Sequence, residues 1–568
     1  LISLLGSADL CDVTALRKLY DQDNKYTHEG ITILCGESHR TTPELVVFTL
    51  RFPLSLFDAA PEDAESGIPF ADFCLRAFIR QLEDIDLLQE HQTGKVKYTG
   101  KIFIHKPNQL VLHRNTAYVE GDSLSIMLRI QFPVYMMQKR NVVAGKLSVR
   151  IVKKHLSRAI RDFLSSFDGA ACRQAIVLYR RQQEIRRLIG EKGLVCFVAD
   201  GTLLPRAQSG GPLPGAVPFS APPEDAVTLC LSGGFTLKGL GIKKGVTVIT
   251  GGGYSGKSTL LDGILESVYN HIPGDGREYC VTQTNSCKIV AEEGRNINAL
   301  DISPFIRHIN NNQTTCFTTA HASGSTSQAA NIMEAVSFGC RLLLIDEDRT
   351  ATNFMIRDAR MKSIIRHDPI VPFTDRVREI YDKTGTSTIL VIGGSSEYLD
   401  LADTVFMMND FILTNFNGEI SRTRQHDFGF FAADDAAPVR WLLPRQVVKS
   451  SLNSLRKDPD TGRIREHIAA DMKTVEVGEL TANVSHLTTL LTLPQKTAIA
   501  YLIRGLCHSQ SEPTVDIFRL AAGLYEKVLS QGLGSVHSSS FPVEPDLELP
   551  LLSDLLFALS RISKIEYL

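Results

Sequence analysis

Two periods of apolar and polar residues run through this chain, and the places where one gives way to the other divide it. Near the N-terminus Leu10 to Tyr20 reads as a helix. Runs rich in β-branched and aromatic residues at Gly30 to Leu34, Leu45 to Phe52, Lys101 to His105 and Leu124 to Phe132 predict strands. Between them Phe70 to Leu88 is helical, with Phe73, Ala77 and Leu82 on its apolar side, and Thr93-Gly94-Lys95 is a polar loop. Val195 to Val227 breaks both periods: six of the 24 prolines lie between Pro205 and Pro223, as expected of an extended connector. Continuous apolar runs then predict buried strands at Val246 to Thr250, Arg341 to Ile345, Thr388 to Ile392 and Thr404 to Met408, with helical patterns at Leu260 to Leu265 and Ala329 to Phe338. That alternation is expected of an α/β layer with a largely parallel sheet. Phe430 to Lys473 is irregular and holds the only tryptophan, Trp441. Helical patterns follow at Gln495 to Leu506, Thr514 to Gln531 and Leu551 to Ile562, with a Ser/Gly/Pro-rich loop over Gly532 to Pro550. Four parts are therefore expected: an α+β N-terminal domain over 1–195, a connector over 196–225, an α/β core over 226–430 and an α-helical C-terminal domain over 431–568.

Composition adds little to this picture. A chain of 568 residues with 43% hydrophobic and 22% charged residues is an ordinary multidomain globular protein. Eleven cysteines without a C-x-x-C pair argue for a reducing compartment and against a zinc site or disulfide framework. No apolar run approaches the roughly 20 residues of a bilayer span, so no membrane crossing is expected. The chain starts at Leu1 rather than Met, so a targeting peptide would lie outside it.

Charge matters locally. The formal net charge is −2, yet Lys139 to Lys192 holds fourteen Lys/Arg against Asp162, Asp168, Glu184 and Glu191. Arg150, Lys153, Lys154, Arg158 and Arg161 recur at helical spacing on one face; Val152, Leu156, Ile160 and Phe163 fall on another. With Arg180, Arg181 and Arg187 they form a candidate surface for a nucleic-acid backbone. The competing expectation is a solvated helix face neutralised by acids elsewhere. No aromatic residues are interleaved with the charges, which favours sequence-tolerant backbone contact over base stacking.

The chemistry concentrates in the core. Gly251-Gly252-Gly253-Tyr254-Ser255-Gly256-Lys257-Ser258-Thr259 follows an apolar strand and precedes a helix, and it matches G-x-x-x-x-G-K-S, the P-loop. Its glycines let the backbone approach phosphate closely, Lys257 would reach the β- and γ-phosphates, and Ser258 would hold Mg²⁺. Ala322 to Gln328 is small and polar and opens a second helix, whose N-terminus could meet an anion. Arg341-Leu342-Leu343-Leu344-Ile345 ends in Asp346-Glu347-Asp348, the Walker B pattern, with Asp346 toward Mg²⁺ and Glu347 placed to polarise water.

The order of P-loop, Ser-Gly helix start and apolar-Asp-Glu strand resembles ABC-type ATPases. The 23-residue interval from Ser323 to Asp346 agrees with the usual signature-to-Walker B spacing. On that alignment Ser323, Gly324, Ser325 and Thr326 stand at the signature, Thr350-Ala351-Thr352-Asn353 at the D-loop, and Leu401-Ala402-Asp403 just after the switch position. The strings Gly251 to Tyr254, Tyr269 to Glu278, Ser323 to Ile332 and Asp346 to Asp358 are similar to the family described as predicted ATPases of the ABC class. The resemblance implies an ABC-type P-loop ATPase core. It also implies ATP and Mg²⁺ as cofactors, and a homodimer with two ATP molecules sandwiched between the P-loop of one subunit and Ser323-Gly324-Ser325 of the other. In length, N-terminal region and basic segment the chain also resembles family members of trypanosome mitochondrial RNA-editing accessory complexes. That implies single-stranded RNA binding that tolerates uridine-rich sequence, RNA-editing accessory proteins as partners and a mitochondrial location.

Three positions depart from the ABC pattern. Gly393 stands where the switch histidine is expected, and Ser395 could contribute a hydroxyl there. Gln283 and Asp301 are rival candidates for the Q-loop residue. Phe235 is placed for the adenine-stacking aromatic, with a core role as its alternative. Two other functions stay open: an ATP-gated assembly scaffold with incidental turnover, and a small-molecule kinase.

Overall fold

The computed structural model describes residues 1–20, 25–37, 43–83, 96–98, 100–137, 140–310, 312–357, 364–365, 368–423, 439–441, 444–459, 462–536 and 544–568. The expected loop at 93–95, Lys139, Asp358 and the end of the expected core near residue 430 lie outside them. The chain forms two compact units, residues 1–180 with 527–549 and residues 181–526 with 550–568. This division differs from the expected four parts.

The first unit is built on an antiparallel sheet. Strands β1 (Lys25–His28), β2 (Ile31–Glu37), β3 (Leu45–Pro53), β4 (Lys101–Phe103), β5 (Ala117–Glu120) and β6 (Ser123–Gln131) assemble in the order β1-β2-β3-β6-β4, with β5 also on β6. The long β3–β6 pairing runs from Leu45 opposite Gln131 to Pro53 opposite Ser123. Helix α1 (Ala64–Glu83) belongs to the same unit. Strands β7 (Val134–Met137) and β8 (Arg140–Val143) lead into α2 (Gly145–Arg150), a π-helical turn at Ile151–Leu156 and α3 (Ser157–Ser165). The apolar face of this helical stretch is buried as its pattern implies: Val152, Leu156, Ile160 and Phe163 are each at most 3% exposed. Phe163 sits edge-on to Phe52 and Phe78 at ring separations of 5.5 and 5.6 Å, in a cluster that also holds Phe57 and Phe70. Near the N-terminus the helix expected over Leu10 to Tyr20 is shorter, a 3₁₀ helix over Val13–Tyr20. Leu10 has φ +62°, which no helix accommodates.

Residues 544–549, expected to close a featureless loop, are part of this first unit. Glu548 is fully buried and accepts from Arg114 Nε at 2.7 Å and lies 2.9 Å from His105 Nε2. Arg129 binds Glu544 at 2.5 Å and Asp546 at 3.0 Å. Helix α4 (Gly169–Glu191) carries the boundary between the units at Arg180/Arg181.

The second unit is built around two larger sheets. An antiparallel one is made of β9 (Leu194–Ala199), β10 (Ala226–Cys230), β11 (Thr236–Lys243) and β13 (Cys280–Thr282), in the order β10-β11-β9-β13. β9 is buried along its whole length, so the expected start of the connector at 196 falls inside a strand. The rest of the connector is pinned: Arg206 binds Asp275 at 2.7 Å, and Arg277 Nε donates to the Leu204 carbonyl at 3.0 Å. These contacts give the family-like string at 269–278 a structural task.

The other sheet carries the P-loop strand β12 (Val246–Thr250). With β14 (Ser286–Ile289), β15 (Leu342–Asp346), β16 (Ser387–Val391), β17 (Thr404–Asn409) and β18 (Ile412–Asn415) it runs β14-β15-β16-β12-β17-β18. All pairings are parallel except the β17–β18 hairpin. The carboxyl ends of β12, β15 and β16 therefore lie along one edge, where ligands of open α/β sheets bind. Helix α5 (Lys257–Glu266) follows β12, and α6 (Gly324–Ser337) precedes β15. The C-terminal region adds α7 (Leu493–His508), α8 (Ile517–Gln531) and α9 (Leu552–Ser560). It also has a three-stranded sheet over 468–483, whose strands of three or four residues are too short to show a period. Among the described residues, no helix is long and apolar enough to cross a membrane.

Candidate functional site

The P-loop is shaped by its own glycines. A Cβ on Gly251 would stand 2.1 Å from the Met408 carbonyl oxygen, so the loop closes on the backbone of β17 only with glycine there. Gly252 and Gly253 meet nothing within 4 Å, and both are exposed. The protein itself does not demand glycine at these two positions, whereas a phosphate approaching the backbone does. Tyr254 takes φ +60° and is wholly exposed. Ser255 Oγ donates to the Gly252 carbonyl at 2.8 Å, and Gly256 begins α5 without a side-chain cap, leaving the first-turn N–H groups to a ligand. Lys257 Nζ donates to the Gly251 and Gly252 carbonyls, both at 2.6 Å, which holds the ammonium inside the loop. The Ser258 side chain is exposed at the start of α5 and Thr259 is half-buried.

Asp346 ends β15 and is 2% exposed; its Oδ1 accepts from the Asp348 N–H at 3.3 Å. Glu347 is the most tightly held acid of this edge. Its Oε2 accepts from the N–H groups of Gly393 at 2.7 Å and Gly394 at 3.2 Å, and its Oε1 accepts from the Ser395 hydroxyl. The turn after β16 thus occupies the place expected of a switch histidine and grips the acid through two N–H groups and a hydroxyl.

The signature segment is a capped helix start. Ser323 is exposed and its Oγ caps Thr326 N at 3.4 Å; Gly324 is half-buried. Ser325 Oγ donates to Asn353 Oδ1 at 2.9 Å, and Gln328 Oε1 accepts from Ala351 N at 3.0 Å. The signature helix and the D-loop segment are therefore tied within one chain. Behind them lies an ionic network that sequence reading missed. Arg295 donates to Asn331 and Glu334, Ser560 donates to Glu334 at 3.0 Å, and Arg561 binds Glu292 at 2.6 Å. Burial raises Glu292, but Arg561 and Arg295 outweigh it and hold the carboxyl at about 2. Nothing local in the sequence points to these pairs: Arg561 and Glu292 are 269 positions apart, and Arg295 and Glu334 are 39 apart.

Several other candidates are committed elsewhere. Gln283 donates to the Leu194 carbonyl at 2.9 Å, and Asp301 caps a turn through Ser303. Phe235 lies under the Arg181 guanidinium at 3.7 Å, with the Tyr279 ring 5.7 Å away. This stack packs Phe235 against the core, as its alternative has it, and engages the Arg181 guanidinium as well. Of the others, Arg180 pairs with Asp63 at 2.8 Å, Arg187 with Glu191 at 2.6 Å, Arg158 with Asp162 at 3.1 Å and Arg161 with Glu29 at 3.6 Å. Arg150, Lys153 and Lys154 are exposed on the same helical stretch. Acids thus answer part of the basic face, as the competing expectation held.

Family models match two stretches. Residues 46–166 match the model described as "ATPase of the ABC class N-terminal", and residues 168–433 match the P-loop domain of the ABC ATPases. The chain belongs to the ABC-class ATPases. An uncharacterized protein of Methanocaldococcus jannaschii is 29% identical over 327 residues, covering 54% of this chain and 69% of that one. The sulfate/thiosulfate import ATP-binding protein CysA of Brucella melitensis is 28% identical over 145 residues, 22% of this chain and 35% of its own. Among solved structures, cbiO1 from Clostridium perfringens, part of the ABC transporter complex cbiONQ, matches 39% of this chain and 87% of its own. Its identity is 14% and its TM-score 0.23, too low to carry an argument. For this ABC-class ATPase the fold and family rest on the two model matches and the P-loop sheet.

Proposed function

We propose that this ABC-class ATPase hydrolyses ATP with Mg²⁺ between two copies of the chain and couples the cycle to RNA held on its basic helical stretch. The observation that carries the hydrolytic part is Glu347, fixed by three hydrogen bonds on the sheet edge from which the P-loop also leaves. The P-loop N–H groups and Lys257 would cradle the phosphates. Ser258 and Asp346 offer a hydroxyl and a carboxylate, oxygen ligands that suit a cation completing its shell with water and phosphate. When bound, that ion draws charge from the phosphoryl oxygens. Glu347 takes a proton from water as the water oxygen bonds the γ-phosphorus, and the bond to the bridging oxygen breaks toward ADP.

The second copy enters because the helix start at Ser323-Gly324-Ser325 offers its N–H groups to an anion, and the resemblance pairs it with a partner's P-loop. Exposed Arg150, Lys153, Lys154, Arg158 and Arg161 support the RNA part. Single-stranded, uridine-rich RNA, RNA-editing accessory proteins and a mitochondrial setting are proposed from the resemblance alone. The test is steady-state turnover with and without uridine-rich RNA, beside Lys257→Ala and Glu347→Gln. Turnover that both substitutions abolish and RNA alters is expected. Turnover that ignores RNA, from a protein that does not shift RNA in a gel, would refute the RNA part. A second reading, an ATP-gated scaffold, is favoured by Gly393 at the switch position; biological activity retained in Glu347→Gln would select it.

A further inference from the structure

The turn after β16 does more than fill the place of a missing histidine: we propose that it positions the catalytic carboxylate, with Ser395 as the positioning residue that holds the oxygen of Glu347 that meets water. This inference rests on the hydrolytic reading above.

A carboxylate offers about four acceptor places, two on each oxygen. Oε2 of Glu347 spends both of its places, on Gly393 N at 2.7 Å and Gly394 N at 3.2 Å. Oε1 spends one place on the Ser395 hydroxyl. One place is left, on Oε1. The water that Glu347 orients therefore binds Oε1, the same atom that Ser395 touches. The topology puts this atom where it is needed. β16 lies between the Walker B strand β15 and the P-loop strand β12, so its turn leaves the sheet between Glu347 and the phosphate cradle.

The three donors differ in kind. The two N–H groups are fixed by the backbone and hold Oε2 as a hinge pin. The Ser395 side chain is 7% exposed, so bulk water does not compete well for its hydroxyl. While Glu347 is ionised, Ser395 donates to one place on Oε1. The proton taken from the attacking water arrives on the other place, so the Ser395 bond holds the carboxyl group aligned before and after the transfer. Alanine could not make this bond. Gly393 has a separate reason to be small: a Cβ there would meet Glu347 Oε2 at 4.0 Å, in contact but without a clash, so the constraint on this turn is the aim of its N–H groups.

The test is ATP turnover by the full chain with Ser395→Ala and Ser395→Thr, beside wild type and Glu347→Gln. Binding of a fluorescent ATP analogue and the melting temperature are measured on each. Ser395→Ala is expected to lower kcat about 10- to 100-fold, as loss of an aligned catalytic hydrogen bond does. KM and analogue binding should stay within about threefold, since nothing in the phosphate cradle changes. Ser395→Thr, which keeps the hydroxyl, should restore most of kcat. In a Glu347→Gln background Ser395→Ala should add almost nothing, because the group it positions is already disabled. An unchanged or raised kcat in a folded Ser395→Ala, from an enzyme that Glu347→Gln silences, would overturn the inference and leave the ATPase reading standing. Wild type without turnover would overturn both. If Ser395→Ala melts early, the Thr variant decides: loss of kcat with its hydroxyl and stability intact would also count against the proposal.

Discussion

The two edges that the proposed ATP site would draw on are built in opposite ways. At the P-loop edge Gly252, Gly253, Tyr254 and Ser258 are exposed, and Ser255 and Lys257 bond to carbonyls of their own loop. At the signature edge every residue of α6 from Ser325 to Val336 is buried, and its polar side chains are spent on the D-loop segment and on a guanidinium–carboxylate network. The P-loop thus ties two side chains to its own backbone and leaves Gly252, Gly253, Tyr254 and Ser258 open to a ligand. The signature helix uses its own to stay in place, with Ser323 capping Thr326, and leaves the N–H groups of Gly324 and Ser325 for a ligand. One edge is exposed and lightly packed; the other is a buried, cross-tied plate.

Removing the plate's support should have the largest effect. Glu334 is fully buried, accepts from Arg295 and Ser560, and lies 3.6 Å from Arg445. Glu334→Ala leaves two buried arginines facing no carboxylate there, which costs about 3–5 kcal/mol. Denaturant unfolding should show that loss, or a protein that no longer folds. Lys257→Ala should change stability by less than about 0.5 kcal/mol, since it removes a surface-loop contact. Comparable losses at the two positions would erase the contrast.

How far the chain announces these two edges follows from the distance between partners. The P-loop, the Walker B acids and the helix starting at Gly324 are each written within about ten consecutive residues, so local pattern finds them. Glu347 and Ser395 are 48 positions apart, and only the order β15-β16-β12 brings the turn to the acid. Glu334 and Ser560 are 226 apart, and Arg114 and Glu548 are 434 apart. No periodicity can show such pairs, which is why residues 544–549 read as loop and prove to be a buried part of the first unit. The basic stretch shows the same limit. Its face is legible, as are Asp162 and Glu191 one turn away, but Glu29 and Asp63, which pair with Arg161 and Arg180, and Phe235, on which Arg181 stacks, lie far off in sequence.

A smaller effect should come from pH at the signature edge. Asp554 opens α9, the helix that brings Ser560 and Arg561 to the network, and it is 1% exposed. Burial raises its carboxyl from 3.8 to about 7, against hydrogen bonds from Thr489 and the Leu551 N–H and the charges of Arg561 and Lys496. Between those values the folded chain keeps a proton that the unfolded chain releases, so stability falls as pH rises from about 4 to about 7 and levels off above. Glu292 works the other way: held at about 2, it adds stability that is present above its unfolded value and lost as pH falls toward 2. The Asp554 contribution is at most about 4 kcal/mol over the whole interval. Melting temperatures of wild type and Asp554→Asn from pH 4 to pH 8 check it. The advantage of wild type should shrink as pH rises, and a constant difference would show that Asp554 does not titrate in that range.

The smallest effect belongs to the exposed edge. Tyr254 holds φ +60°, a region that costs a non-glycine residue about 1 kcal/mol, and its exposed ring has no packing to offset that. Tyr254→Gly relieves the strain but frees the unfolded chain, a loss of about 0.5–1 kcal/mol. The two terms nearly cancel, so unfolding free energy should stay within about 0.5 kcal/mol of wild type. A drop beyond about 1 kcal/mol would mean that the ring is packed, and the P-loop edge would then share the packing of the signature edge. A near-zero change would leave the strained tyrosine without a role in stability, so that any purpose for it must be sought with nucleotide bound. Repeating the melt with ATP and Mg²⁺ separates the two: a ring that matters only then should make the nucleotide-induced rise in melting temperature smaller in Tyr254→Gly than in wild type, by the amount of binding energy it contributes.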